Sequence, residues 1–200
     1  MGFLSRLFGS KNDRAKRTGL QKTDRVYIDR KAANRAIIRH CVESGQLQRQ
    51  LIIIYFFKET KAEFEVAVTN ATNVSWVNAF FPAQIRQAGI GGWDNVDVIV
   101  AETYPDINTE QQLLDELTNA GYTKPTLTFY NGLDDPTLVL FGAERIQKLM
   151  RSLGLKDDEP VEHKMITKSM DRAQEKLSKK NFSIGRIDSR VEMVRRLTSV

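Results

Sequence analysis

The chain has 200 residues, with 41% of them hydrophobic and 30 Lys+Arg against 25 Asp+Glu. That length suits one compact core plus tails rather than a large multidomain machine, and that apolar fraction is too high for a disordered chain. The longest apolar run, residues 51–57, is far short of the roughly 18 residues of a membrane span, and Cys41, the single cysteine, excludes an intramolecular disulfide or a cysteine-based zinc site and suits a reducing cytoplasm.

In chain order, residues 1–11 place Phe3, Leu4, Leu7 and Phe8 on one side of a helix, with Arg6 and Lys11 elsewhere on its surface. This is the pattern of a weak interfacial membrane helix. The competing reading is a start whose apolar residues dock on the protein itself. The stretch lacks the long apolar region and cleavage site of a secretory signal. Residues 12–23, polar and basic, read as a linker. Asp29 reads as an N-cap for a helix with Ala33, Ala36, Ile37, Cys41 and Val42 at helical spacing, closed by Gly45. Residues 51–57 are β-branched and aromatic without a polar break, which predicts a strand covered on both faces. Helical spacing returns over 58–68, and strands are predicted over 74–80, 96–101 and 126–130. Between the last two, Thr109-Glu110-Gln111-Gln112 has the form of a capping box, followed by Leu113, Leu114 and Leu117 and stopped by Gly121. Strands alternating with helices predict βα units and a parallel sheet. From Ala143 only helices are predicted: one with Ile146, Leu149, Met150 and Leu153 on its apolar face, then 165–180 and 187–197, both with basic surfaces.

Charge is unevenly spread. Residues 1–40 carry 11 basic and 3 acidic side chains, 41–160 carry 9 and 17, and 161–200 carry 10 and 5. An acidic body between basic ends speaks to partners, not to fold.

The most specific stretch runs from Phe141-Gly142-Ala143-Glu144-Arg145-Ile146 through Glu162-His163-Lys164-Met165-Ile166-Thr167-Lys168 and Arg172-Ala173-Gln174-Glu175-Lys176 to Asn181-Phe182. It closely resembles SecA, the motor ATPase family of bacterial preprotein export, where these words mark the exit from the second nucleotide-binding domain into a long scaffold helix. Upstream, Val77-Asn78-Ala79, Ile85-Arg86-Gln87-Ala88-Gly89, Val98-Ile99-Val100-Ala101 and Leu133-Asp134-Asp135 are similar to the same family more weakly. The resemblance implies an α/β fold: a degenerate RecA-like parallel-sheet domain of the P-loop NTPase/helicase C-terminal type over 24–142. A basic amphipathic segment and linker, 1–23, precede it, and a helical scaffold-like C-terminal extension, 143–200, follows.

Function is expected to turn on what the sequence lacks. ATP hydrolysis needs backbone amides and a Lys around the phosphates and carboxylates for Mg²⁺ and water, and the sequence holds no Gly-x-x-x-x-Gly-Lys-[Ser/Thr] and no Asp-Glu-x-Asp after a strand. In the family the second domain lends arginines to the γ-phosphate. Here Glu102-Thr103-Tyr104-Pro105-Asp106 stands in place of the first arginine motif and the acidic helix 109–119 in place of the second. A carboxylate repels a triphosphate. The expectation is therefore a non-catalytic, cofactor-free pseudo-motor module of protein export. Its partners would be a SecA motor or translocon component, with an anionic membrane surface met by Phe3, Leu4, Arg6, Leu7, Phe8 and Lys11. Candidate partner contacts are Arg145, Lys148, Arg151, Lys164, Lys168, Arg172 and Lys176. The expected location is the cytoplasm, peripheral on the inner face of the plasma membrane. The alternatives are a domain that binds ATP or ADP without hydrolysis and a basic-tailed nucleic-acid binder. The acidic body and the lack of aromatic stacking platforms speak against the latter. Residues 89–93 read as a turn, not a phosphate loop, and Asp134-Asp135 as turn and helix-start residues, not a metal pair. His163 reads as a surface or capping residue and Cys41 as core.

Overall fold

The computed structural model describes residues 20–199 apart from 66, 69–71, 82, 89–91, 153–155, 157 and 180–185. Five strands form one sheet: β1 (Gln21–Tyr27), β2 (Gln50–Tyr55), β3 (Val74–Asn78), β4 (Val96–Val100) and β5 (Thr126–Gly132). Their spatial order is β1-β5-β4-β2-β3, and every neighbouring pair is parallel. Parallel neighbours require crossover connections. These are supplied by α1 (Arg30–Gln46), α2 (Lys58–Glu65), α3 (Ala83–Ala88) and α4 (Ile107–Asn119); α5 (Pro136–Leu140), α6 (Ala143–Ser152), α7 (Lys164–Lys179) and α8 (Arg190–Thr198) follow.

The crossovers cover both faces, so the central strands have no polar side. Leu51, Ile52, Ile53 and Ile54 of β2 are all fully buried. Their alternation divides the core in two. Leu51 and Ile53 meet Ala32, Ala33, Ala36, Ile37 and Cys41 of α1, whose small residues allow helix and sheet to approach closely. Ile52 and Ile54 meet Leu113, Leu114 and Leu117 of α4. Asp29 caps α1 as its sequence position predicts, accepting the Ala32 N–H at 2.7 Å. Gly121, with φ +88°, turns the chain out of α4.

Several elements differ from the sequence reading, each for a physical reason. β1 was absent from it, and residues 21–23, read as linker, belong to that strand. Its sequence Gln-Lys-Thr-Asp-Arg-Val-Tyr is too polar to announce a strand; Asp24 and the Lys22 side chain are buried by pairing with distant groups. The free edge of β1 is partly closed by Val161, which exchanges both backbone hydrogen bonds with Val26 (3.1 and 2.8 Å). Helix α4 starts at Ile107, not at a Thr109 box. Asp106 is the cap, accepting from the Asn108 N–H at 3.1 Å and the Thr109 hydroxyl at 2.8 Å. Helix α1 passes Gly45 and ends at Gln46, and Gln48 adopts φ +52°.

The C-terminal helices, expected as an extension, lie against the α/β body. Met150 and Met170 join the α1-side core, and Ile187 and Met193 join the α4-side core. The last helical stretch begins at Arg190, and residues 186–189 before it belong to no helix or strand.

Candidate functional site

In an open parallel sheet, ligands sit outside the carboxyl ends of the strands where successive connections diverge. That point lies here between β2 and β4, because β2 leads outward to β3 while β4 leads the other way to β5. The crevice at this point is filled by the chain itself.

Glu102, two residues past β4, projects its carboxylate into the crevice. One oxygen accepts the Phe56 and Phe57 N–H groups at 2.9 and 3.0 Å. These two amides lead directly into α2, so the carboxylate faces the positive end of that helix. The other oxygen accepts the Thr60 hydroxyl and Nη2 of Arg190, the latter at 3.1 Å. Arg190 comes from the first turn of α8 and also donates to Glu63 Oε1 and Thr60 Oγ1. Arg30, at the start of α1, completes the cluster. Its Nη1 donates to the Ala101 carbonyl at 2.6 Å and lies 3.6 Å from Asp135, while Nε is 3.6 Å from Glu63 and Nη2 is 3.8 Å from Glu102. Burial pushes the Asp135 carboxyl above its ordinary range despite Arg30. Burial acts the same way on Glu63, but the Asn34 hydrogen bond and the Arg190 guanidinium prevail and hold it below its ordinary value.

The segment 186–193 straps the same crevice. The Tyr104 hydroxyl accepts from the Ile187 N–H at 3.0 Å and donates to the Ile187 carbonyl at 3.3 Å. The Lys58 N–H donates to the Asp188 carbonyl at 3.3 Å, and the Ser189 hydroxyl donates to Glu59 at 3.0 Å. Arg186 stacks over Phe81 at 4.4 Å, and the Met193 sulfur accepts the Thr137 hydroxyl at 3.4 Å. The strap therefore touches the turns after β2, β3, β4 and β5.

A second buried network lies beneath α7. Lys22 Nζ donates to Glu110 at 2.8 Å and stands 3.5 Å from Asp24. Asp24 accepts from Asn131 at 2.9 Å, and Asn131 in turn accepts the Thr103 N–H at 2.9 Å. Glu110 also accepts the Tyr104 N–H at 2.7 Å, and Gln174 of α7 donates to the Tyr104 carbonyl. Burial alone would lower the Lys22 pKa, but Asp24 and Glu110 outweigh it and raise it well above the ordinary ammonium value.

Of the residues singled out from sequence, Glu102 stands at the switch point and Glu110 in the second network. Arg30, Arg190, Lys22 and Thr60 were missed. Their partners lie up to 130 positions away, so no local pattern reports them. Asp134 accepts the Arg30 N–H at 2.6 Å, and among the described residues no group of His, Cys, Asp and Glu is arranged to hold a metal. His163 accepts the Met165 N–H at 3.2 Å at the start of α7, and Cys41 is buried. Lys148 and Arg151 are exposed on α6; Lys164, Lys168 and Lys176 are exposed on α7, with Arg172 half-buried among them. Arg145 lies on α6, its side chain outside what is described, and Phe3, Leu4, Arg6, Leu7, Phe8 and Lys11 fall outside the described residues. Most of residues 89–93 do too. No helix among the described residues is long and apolar enough to cross a membrane.

No family model matches the chain. The protein translocase subunit SecA of Caldicellulosiruptor saccharolyticus is 35% identical over 124 residues, 62% of this chain and 14% of that protein. The SecA of Bacteroides thetaiotaomicron is 31% identical over 148 residues, 74% of this chain and 13% of that protein. This chain is related to SecA. A shorter stretch reaches 50% identity with the SecA of Halothermothrix orenii, over 56 residues that make up 28% of this chain and 7% of that protein. The all-parallel five-stranded sheet with its covering helices agrees with the SecA relationship, and the fold is an α/β RecA-like domain. The matched stretches amount to no more than 14% of the SecA relatives' length.

Proposed function

We propose that this SecA-related chain is a non-catalytic interaction module of protein export: a pseudo-motor domain that docks a SecA motor or translocon component and does not turn over ATP. The observation that carries the reading is the filled switch-point crevice. Glu102 places a negative charge against the amides of Phe56 and Phe57 and the Thr60 hydroxyl, the donors that an anionic ligand there would use. The strap residues Ile187 and Arg190 occupy the space above it. The missing Gly-x-x-x-x-Gly-Lys-[Ser/Thr] supports the same conclusion from sequence. Relatives named as translocase subunits support the link to export.

Steady-state ATP turnover and calorimetry with ADP test the reading on the full chain. The expected result is turnover equal to a buffer control and no ADP binding heat; turnover above the control refutes it. The partner face is proposed to be the basic side of α6 and α7. Replacing Lys164, Lys168 and Lys176 together by Glu is expected to weaken binding to a purified SecA motor at least tenfold at low salt and to flatten its salt dependence. Residues 1–19 are proposed to hold the chain at the cytoplasmic face of an anionic membrane through one apolar and one basic signal.

A further inference from the structure

The seat of the strap has the features of a peptide-binding groove. Three strap residues at three-residue spacing enter it: Ile187 and Met193, both fully buried, and Arg190 between them. Each meets a different chemistry. Ile187 is clamped at both backbone atoms by the Tyr104 hydroxyl. The Arg190 guanidinium meets Glu63, Glu102 and Thr60 and lies over the Phe57 ring at 5.9 Å. Met193 packs into the α4-side core and receives the Thr137 hydroxyl. Apolar pockets that fix alternate anchors, with a charged group setting register, are the means by which a groove recognises an amphipathic segment.

The polar part of this seat is imperfectly made. Arg190 Nε, Glu59 Oε2 and Asp135 Oδ2 are buried without a hydrogen-bond partner among the described residues, as are Nε and Nη2 of Arg30. Unmet buried donors and acceptors weaken an interface relative to a fully satisfied one. The central strands beneath have a different footing: β2 pairs with β4 over five positions, and Leu51, Ile52, Ile53 and Ile54 are fully buried apolar side chains. The strap is therefore held less tightly than the sheet that it covers.

We infer that the β2/β4 crevice is a receptor groove for a basic amphipathic protein segment of the pattern apolar-x-x-Arg-x-x-apolar, and that residues 186–199 fill it as a tethered competitor. The occupant that replaces them is a partner segment of that same chemistry, because the carboxylates Glu63 and Glu102 select the guanidinium and the Ile187 and Met193 pockets select its apolar flanks. This inference rests on the reading of the chain as an interaction module, names the binding site of that module, and uses no nucleotide in its test, so the two fail separately.

The test is fluorescence anisotropy of a labelled synthetic peptide of residues 186–199 against the full chain and its full-length Arg190→Glu variant. That variant sets a third carboxylate against Glu63 and Glu102 and unseats the tethered strap. A tether at effective millimolar concentration shields the wild-type groove, so the peptide is expected to bind the variant at least about tenfold more tightly than the wild type. A peptide with the same Arg190→Glu change is expected to bind neither. A folded variant that binds no wild-type peptide, or equal binding to both chains, overturns the proposal. If the variant does not fold, hydrogen exchange of the wild type decides. The Lys58 and Ile187 amides are expected to exchange at least tenfold faster than those of Ile53 and Ile99, and exchange in the same slow class overturns it. A concentration-dependent dimer that the peptide dissolves assigns the incoming segment to a second copy and overturns the separate partner.

Discussion

At the scale of single residues, two positions carry more than their neighbours. Gly132 ends β5 where the β1–α1 turn passes against it, and a Cβ there would stand 2.3 Å from the Arg30 nitrogen. Backbone cannot yield as a side chain end can, so Gly132→Ala is expected to cost about 3 kcal/mol, read by chemical denaturation. Lys22 is the cation that Asp24 and Glu110 share in the network under α7. Lys22→Met leaves two carboxylates without their partner and is expected to cost about 3–5 kcal/mol. Adding Glu110→Gln is expected to recover part of that loss, since residues in one network couple. His40 gives a pH signature. Its Nδ1 lies within hydrogen-bond distance, 2.9 Å, of the Tyr130 hydroxyl, which also accepts from Arg25 at 3.0 Å. Burial lowers the His40 pKa, with Arg25 and Lys124 adding to this against the opposing pull of Asp97 and Glu43. A group whose folded pKa is depressed contributes stability above its unfolded pKa and loses it as pH falls toward the folded one. Wild type is therefore expected to lose stability relative to His40→Gln as pH drops from about 6.5, and parallel stability curves for the two chains would count against this role.

At the scale of elements, β1 and α8 separate what a local pattern reports from what packing decides. The strand β2 announces itself because a strand buried on both faces is apolar throughout, as in Leu51–Ile54, and β4 and β5 are mostly β-branched and aromatic. β1 does not, because Lys22 and Asp24 are buried by pairing across the sheet rather than by apolarity. Helix α8 carries an apolar face in its sequence, but periodicity names no target for it. Only the fold shows that Met193 is fully buried while Val191, two positions away, is 78% exposed. Met193→Ala is accordingly expected to lower stability by about 2–4 kcal/mol, and Val191→Ala to change it by less than about 0.5 kcal/mol. Similar effects for the two would mean that α8 does not pack as described.

At the scale of the whole molecule, the charge split has a spatial meaning. The acidic central sequence supplies Glu63, Glu102 and Asp135, and the basic ends supply Arg30 and Arg190, which meet them at the switch point. Part of the charge contrast is thus spent inside the fold. What stays outside, among the described residues, includes the exposed lysines of α7. Flotation with anionic vesicles is expected to recover the full chain at low salt. The joint change of Phe3, Leu7 and Phe8 to Ser is expected to reduce that recovery severalfold, and unchanged recovery would remove residues 1–19 from membrane contact.

The sequence by itself determined the alternating βα order, the buried central strands, the Asp29 cap and the SecA kinship, because each is written in local spacing or in contiguous words such as Glu162-His163-Lys164-Met165. Its resemblance to SecA also carried the expectation that Glu102 stands in place of an arginine motif. Only the tertiary structure decided that this carboxylate is met by Arg190 from 88 positions away, that the Lys22 side chain is enclosed by its partners, and that the C-terminal helices close over the sheet. Ion pairs and strap contacts of that kind depend on which loops the strand order brings to one end of the sheet, and strand order is a property of the packed molecule, not of any segment of it.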